Sequence, residues 1–223
     1  MDIGTFEKVK KQLAEEYFYN KSLRNNITKE FEDRLIEEYL QNGLISDLVV
    51  SWKAGRLIED KDNPGDFVPA KNKNGDYYTG YGTSIDSEEL ENYLTTVEKR
   101  WIGLTSVEQE QFSEIYTKLV QDIFVPKNFG SVYIINLIYF LSKGRFPIYD
   151  KFAHKAAKAL FMGKQPNKVY VENAPGKNDI ENVVNMYNEY LWLLEKLFHK
   201  YSIDRITDRA LWVYGHGVNP SDT

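Results

Sequence analysis

Residues 130–142 read Gly130-Ser131-Val132-Tyr133-Ile134-Ile135-Asn136-Leu137-Ile138-Tyr139-Phe140-Leu141-Ser142, and Gly144-Arg145-Phe146-Pro147-Ile148-Tyr149-Asp150 follows almost at once. Apolar residues fall on nearly every side of the first run, the pattern of a helix buried all round. The run stops at a Gly-Arg-Phe-Pro turn, where proline fixes φ and ends the helical pattern. Asp150 then opens the next amphipathic stretch, Lys151-Phe152-Ala153-His154-Lys155-Ala156-Ala157, at a position where aspartate is a preferred cap. Buried helix, stiff turn and capping carboxylate together make a rigid mount for one acidic group.

Outward from this segment, helical periodicity dominates. Phe6, Val9, Leu13 and Tyr17 recur at helical spacing, as do Phe31, Leu35, Ile36, Tyr39 and Leu40 after the cap Thr28. A third helix is predicted over 44–57, with Leu48, Val49 and Trp52 facing inward. Further helices are predicted over 88–99 behind Ser84 or Asp86, then 106–123, 131–142, 150–162, 179–201 and 204–214, the last ending at Gly215. Residues 60–84 differ in texture. Asp62-Asn63-Pro64-Gly65-Asp66, Lys73-Asn74-Gly75-Asp76 and Tyr77-Tyr78-Thr79-Gly80-Tyr81-Gly82 carry turn signals. They fit a long loop over 58–84, or a small β-hairpin around 66–82 turning at Asn74-Gly75. The expected fold class is all-α, a compact multi-helix globule. It forms one helical domain over 1–223, or two packed lobes over 1–100 and 101–223.

Composition narrows the chemistry. The chain has 223 residues, enough for a sizeable core. Its 16 Tyr, 12 Phe and 4 Trp favour a well-packed globule over disorder. With no cysteine there is no disulfide scaffold, thiol nucleophile or Cys-ligated metal. The three histidines, His154, His199 and His216, form no metal-binding spacing, so no metal and no cofactor are expected. The polar amino terminus and the lack of a long apolar stretch point to a cytoplasmic chain without a membrane partner. A net charge of −5 confines any nucleic-acid contact to a local basic patch.

Asp150 is the leading candidate for chemistry. The helix dipole and free backbone N–H groups favour its ionised form. A fixed carboxylate suits orienting a water or stabilising a developing oxocarbenium cation. A helix cap alone also accounts for it. His154, one turn on, is a candidate proton shuttle or a structural histidine. Arg205, Asp208 and Arg209 cluster with Trp212 on the last helix. An arginine there would pair with Asp150 or bind a phosphate, or the helix simply docks through Trp212 and carries a surface Arg–Asp pair. Trp52 beside Lys53 and Arg56, and Tyr78 in its tyrosine cluster, are candidates to stack a base or to fill the core.

Gly130 entering a helix, then Phe146-Pro147-Ile148-Tyr149-Asp150-Lys151 and an amphipathic helix, resembles the core of the helix-hairpin-helix DNA glycosylase superfamily. The resemblance spans residues 125–160. It implies Asp150 as the catalytic carboxylate and residues 125–130 in the place of the DNA-binding hairpin. Lys127, Asn128, Gly130, Lys143, Arg145 and Lys151 would then be the nucleic-acid contacts. The chain departs from the family pattern in several places. Its hairpin has one glycine rather than Gly-x-Gly, and its Pro-to-Asp spacing is one residue longer. Ser131, Val132 and Tyr133 stand where some members carry a nucleophilic lysine, so no Schiff-base lyase activity is expected. The implied function is a monofunctional, base-flipping hydrolase of DNA repair. The alternative is a non-catalytic helical module with a protein partner, in which Asp150 is a cap or a structural ion-pair partner.

Overall fold

Capping chemistry sets most helix starts in the computed structural model, which describes residues 1–19, 27–80 and 83–218. Helix α1 spans Ile3–Tyr19. Helix α2 (Lys29–Asn42) begins where the Thr28 side chain accepts the Phe31 N–H, and ends at Gly43 in the left-handed region. Helix α3 (Asp47–Lys53) starts behind Ser46. Four strands follow: β1 (Leu57–Glu59), β2 (Phe67–Pro69), β3 (Tyr77–Gly80) and β4 (Thr83–Ile85). Helix α4 (Ser87–Ile102) is capped by Asp86, which accepts from Glu88 and Glu89. Then come α5 (Phe112–Val120), α6 (Ser131–Leu141), α7 (Lys151–Phe161), α8 (Ile180–Phe198) and α9 (Arg205–Gly215). The described chain is thus mostly helical with two small antiparallel hairpins. Among the described residues, no helix is long and apolar enough to cross a membrane.

Several sequence expectations shift. The helix predicted over 44–57 is only α3, because Gly55 turns left-handed (φ 62°) and the chain leaves into β1. The helix over 106–123 is a short 3-10 turn at Glu108–Glu110 followed by α5, interrupted at the extended Gln111. The expected hairpin is two: β1 pairs with β2, and β3 pairs with β4. The Asn74-Gly75 turn is present, with Gly75 at φ 89° and the Asn72 side chain accepting from Asn74 and Asp76. It closes only the single Lys71–Tyr77 bridge, so it does not join two strands. Tyr81 and Gly82 of the Gly/Tyr-rich stretch lie outside the described residues. Gly215 does not terminate α9; it is buried in the last turn, and His216 is the cap.

The chain divides into two compact units that interleave in sequence. One comprises Met1–Asn25, Pro147–Ala174 and Asn185–Thr223; the other, Asn26–Phe146 and Pro175–Val184. In the first, α9 packs on α1 and on α7. Its core is small on α7 (Ala153, Ala156, Ala157) and large on α8 and α9 (Tyr187, Tyr190, Leu194, Tyr214), so the helices approach closely. In the second, α5 packs on α4 and α6, and α6 touches α2 and α3. Helix α6 is buried at all but Val132 and Tyr133, as its unbroken apolar pattern requires. Of its two buried polar residues, Ser131 and Asn136, the second donates to the Val132 carbonyl at 2.8 Å.

Trp52 belongs to this second core. It is buried, edge-on to Phe140 at 5.9 Å, and its indole N–H donates to Glu32 at 2.8 Å. Glu32 is itself fully buried. Removing the donor leaves a buried carboxylate short of one bond, so Trp52→Phe is expected to cost about 2 kcal/mol. Chemical denaturation checks this; a change within about 0.5 kcal/mol, the usual range for surface substitutions, would contradict it.

Candidate functional site

In the first unit, Asp150 occupies the start of α7. Its backbone is extended (φ −141°, ψ 139°), and its Oδ1 accepts the Phe152 N–H at 2.8 Å. The four residues before it, Phe146, Pro147, Ile148 and Tyr149, are buried. Tyr187 reaches back with its hydroxyl to donate to the Pro147 carbonyl at 2.7 Å. The carboxylate therefore sits, half-buried, at the end of a buried turn pinned at Pro147 by Tyr187. Lys151, next in the chain, donates to the Asn173 side chain at 2.8 Å.

The carbonyl end of α9 meets this helix start. A Cβ on Gly215 would lie 1.9 Å from the Phe152 carbonyl oxygen, so only glycine permits the contact. The His216 ring stacks on Phe152, with centroids 3.5 Å apart and planes 23° from parallel. Its Nδ1 lies 2.9 Å from the Trp212 carbonyl. Burial lowers the His216 pKa, while the Trp212 carbonyl and Asp150 pull it up and Lys155 pushes it down.

His154 lies on the inner side of α7 and is 1% exposed. Its ring contacts Tyr149 and Tyr190, each with centroids within 5.7 Å. Glu189 Oε2 is 3.7 Å from Nε2, a geometry that would be an ion pair were the ring charged. Burial outweighs that half-exposed, solvent-screened carboxylate, and the His154 pKa falls to about 4. The Tyr149 hydroxyl and the ring Nδ1 share a hydrogen bond of 3.1 Å, and Nε2 is buried on the Glu189 side. An unfolded histidine takes up its proton near pH 6.5, whereas His154 resists until about pH 4. The unfolded chain thus binds more protons across that window. Stability is full above it and falls as the pH drops through it, by on the order of 3 kcal/mol. Denaturation midpoints taken at intervals from pH 7 to pH 4 check this. His154→Gln should flatten the decline, and an unchanged slope would contradict the assignment.

The carboxy-terminal cluster packs against α1. Arg205 pairs with Asp208, and the Arg205 guanidinium lies over Tyr17 at 5.6 Å. Arg209, 3% exposed, lies over Phe18 at 4.7 Å. These charges read as surface groups in sequence, but aromatic rings from α1 cover the two arginines.

In the second unit, Lys127 and Asn128 are exposed on a turn closed by the Phe129 N–H and the Pro126 carbonyl, 3.0 Å apart. Asn128 donates to the Ser84 carbonyl at 2.9 Å. Gly130 is exposed and supplies no side-chain cap to α6. Lys177, which the sequence did not single out, braces this turn by donating to the Val125 and Pro126 carbonyls. Lys143 adopts a left-handed backbone (φ 54°), and Arg145 donates to the Gln109 carbonyl at 3.1 Å; both are exposed. Tyr78, half-buried, pairs with Ser84 in the second hairpin.

Two surface cavities of about 320 Å³ lie elsewhere, one bounded by Lys10, His199, Lys200 and Asp204, the other by Arg34, Tyr39, Asp66 and Phe67. Among the described residues, no three His, Asp or Glu side chains group to hold a metal ion. The sequence also passed over Phe152, Tyr190 and His216 as neighbours of Asp150. The one local signal was the spacing that sets His216 a turn beyond Trp212. No known protein family, curated protein or solved structure matches the chain.

Proposed function

We propose that the chain acts on nucleic-acid bases in the manner of a monofunctional DNA glycosylase, hydrolysing an N-glycosidic bond with Asp150 as the carboxylate facing the sugar. The mounting of Asp150 carries this reading. One oxygen is held by the Phe152 N–H, and the preceding turn is buried and pinned by Tyr187. A charge fixed in this way is preorganised for a developing oxocarbenium, with little rearrangement left for the moment of reaction. Position 131 also supports direct hydrolysis, since it holds a serine, whose hydroxyl donates to the Pro175 carbonyl, and not a lysine. Water, rather than a lysine, is then the nucleophile. Lys127, Asn128, Gly130, Lys143 and Arg145 supply exposed cations and backbone N–H groups suited to phosphates. The test is base release from synthetic duplexes by the wild type and Asp150→Asn.

A second reading rests on its own observation. Arg205 pairs with Asp208 within α9, Arg205 and Arg209 lie over rings of α1, and Asp150 accepts a capping bond. A non-catalytic helical module would need no more than this. It predicts a stable protein that releases no base.

A further inference from the structure

His216 lies against the residue that holds Asp150. Its ring stacks on Phe152, whose backbone N–H donates to Asp150 Oδ1. The Trp212 carbonyl can only accept, so Nδ1 carries the ring proton of that 2.9 Å bond. In the neutral ring Nε2 therefore keeps its lone pair. The charged groups acting on the imidazole are Asp150 and Lys155, both from the α7 side. Burial keeps the ring neutral near pH 7. A further polar group belongs to the same neighbourhood: the Tyr190 hydroxyl is fully buried, has no hydrogen-bond partner and feels the charges of Asp150 and Asp208. An orphaned buried hydroxyl of this kind commonly awaits a water or ligand.

We propose that His216 is the proton acceptor for the water that Asp150 orients. This rests on the glycosylase reading and adds to it a division of labour. A carboxylate that stabilises a cation must stay ionised, and taking the proton of the attacking water would neutralise it. The neutral imidazole stacked on Phe152 takes that proton instead. As the C1′–N bond breaks, its electron pair passes to the base nitrogen. The water oxygen then bonds to C1′, and the proton it sheds moves to His216 Nε2. The departing base gains a proton from solvent, and His216 returns its own to solvent.

The experiment is single-turnover base release from duplexes carrying uracil, hypoxanthine, 8-oxoguanine or an alkylated purine, across a pH series. It compares the wild type, H216F, H216Q and D150N. H216F keeps a ring to stack on Phe152, and circular dichroism confirms that each variant folds. We expect H216F and H216Q to lower the rate about 100-fold, the low end for general-base catalysis, with duplex binding unchanged. The wild-type rate should fall in acid as His216 protonates, and H216F should lack that limb. NMR titration of the His216 ring should give a lower pKa in D150N than in the wild type. If D150N is inactive while H216F keeps the wild-type rate and acid limb, the role of His216 is overturned and the glycosylase reading stands. An unshifted His216 titration in D150N likewise overturns the pairing. No base release by the wild type on any duplex overturns the glycosylase reading itself, and this inference with it.

Discussion

Gly215→Ala is expected to be the most destabilising single-methyl change in the first unit. The new Cβ would fall 1.9 Å from the Phe152 carbonyl oxygen and 2.6 Å from its carbon. Non-bonded carbon contacts normally sit near 3.5–4.0 Å, so α7 and α9 must part. The obstacle is backbone, which cannot rotate aside as a side chain would. Overpacking typically costs about 1–3 kcal/mol, and a backbone clash belongs at the upper end, about 3 kcal/mol. For a chain of this size that lowers Tm by roughly 6–12 °C. Gly176→Ala is the control, since a Cβ there meets nothing within 4 Å. Thermal melts of the two variants should differ widely, and similar melts would contradict the tight α7–α9 contact. Parting the helices also lifts His216 from Phe152, so base release should fall together with stability.

The sequence was most legible where one local rule acts alone. The unbroken apolar run announced α6, and Thr28, Asp86, Asp150 and Asp204 each cap a helix by accepting a nearby N–H. Competing signals blurred other elements. Trp52 and Leu57 continue a helical pattern, yet Gly55 turns the chain between them. Residues 60–84 are full of turn signals, and which strands pair there depends on packing against α3 rather than on local propensity. The neighbourhood of Asp150 was half legible. The carboxylate and its cap are adjacent in sequence, whereas Gly215 and His216 come from a distant helix. Gly215 resembled a helix terminator because a close backbone approach leaves no mark without its partner. Arg209 and Asp208 looked solvent-facing because the rings that cover Arg209 belong to α1. Glu32, on α2, is buried where α3 brings the Trp52 N–H over it.

Asp150→Asn should separate chemistry from stability. Asparagine caps a helix about as well as aspartate, so the Phe152 N–H keeps an acceptor. Losing the charge at a helix N-terminus costs about 0.3–1 kcal/mol, a small shift in melting. The transition-state term is far larger, because removing one preorganised electrostatic contact commonly costs about 100- to 1,000-fold in rate. Duplex binding should persist or tighten, since an anion near phosphate has gone. The decisive measurement is therefore the single-turnover rate of base release by the wild type and Asp150→Asn on the same duplexes. The expected result is release by the wild type, a fall of at least about 100-fold in the variant, and nearly equal melting temperatures. Equal rates in the two proteins, or no release by either with a stable fold in both, would contradict it.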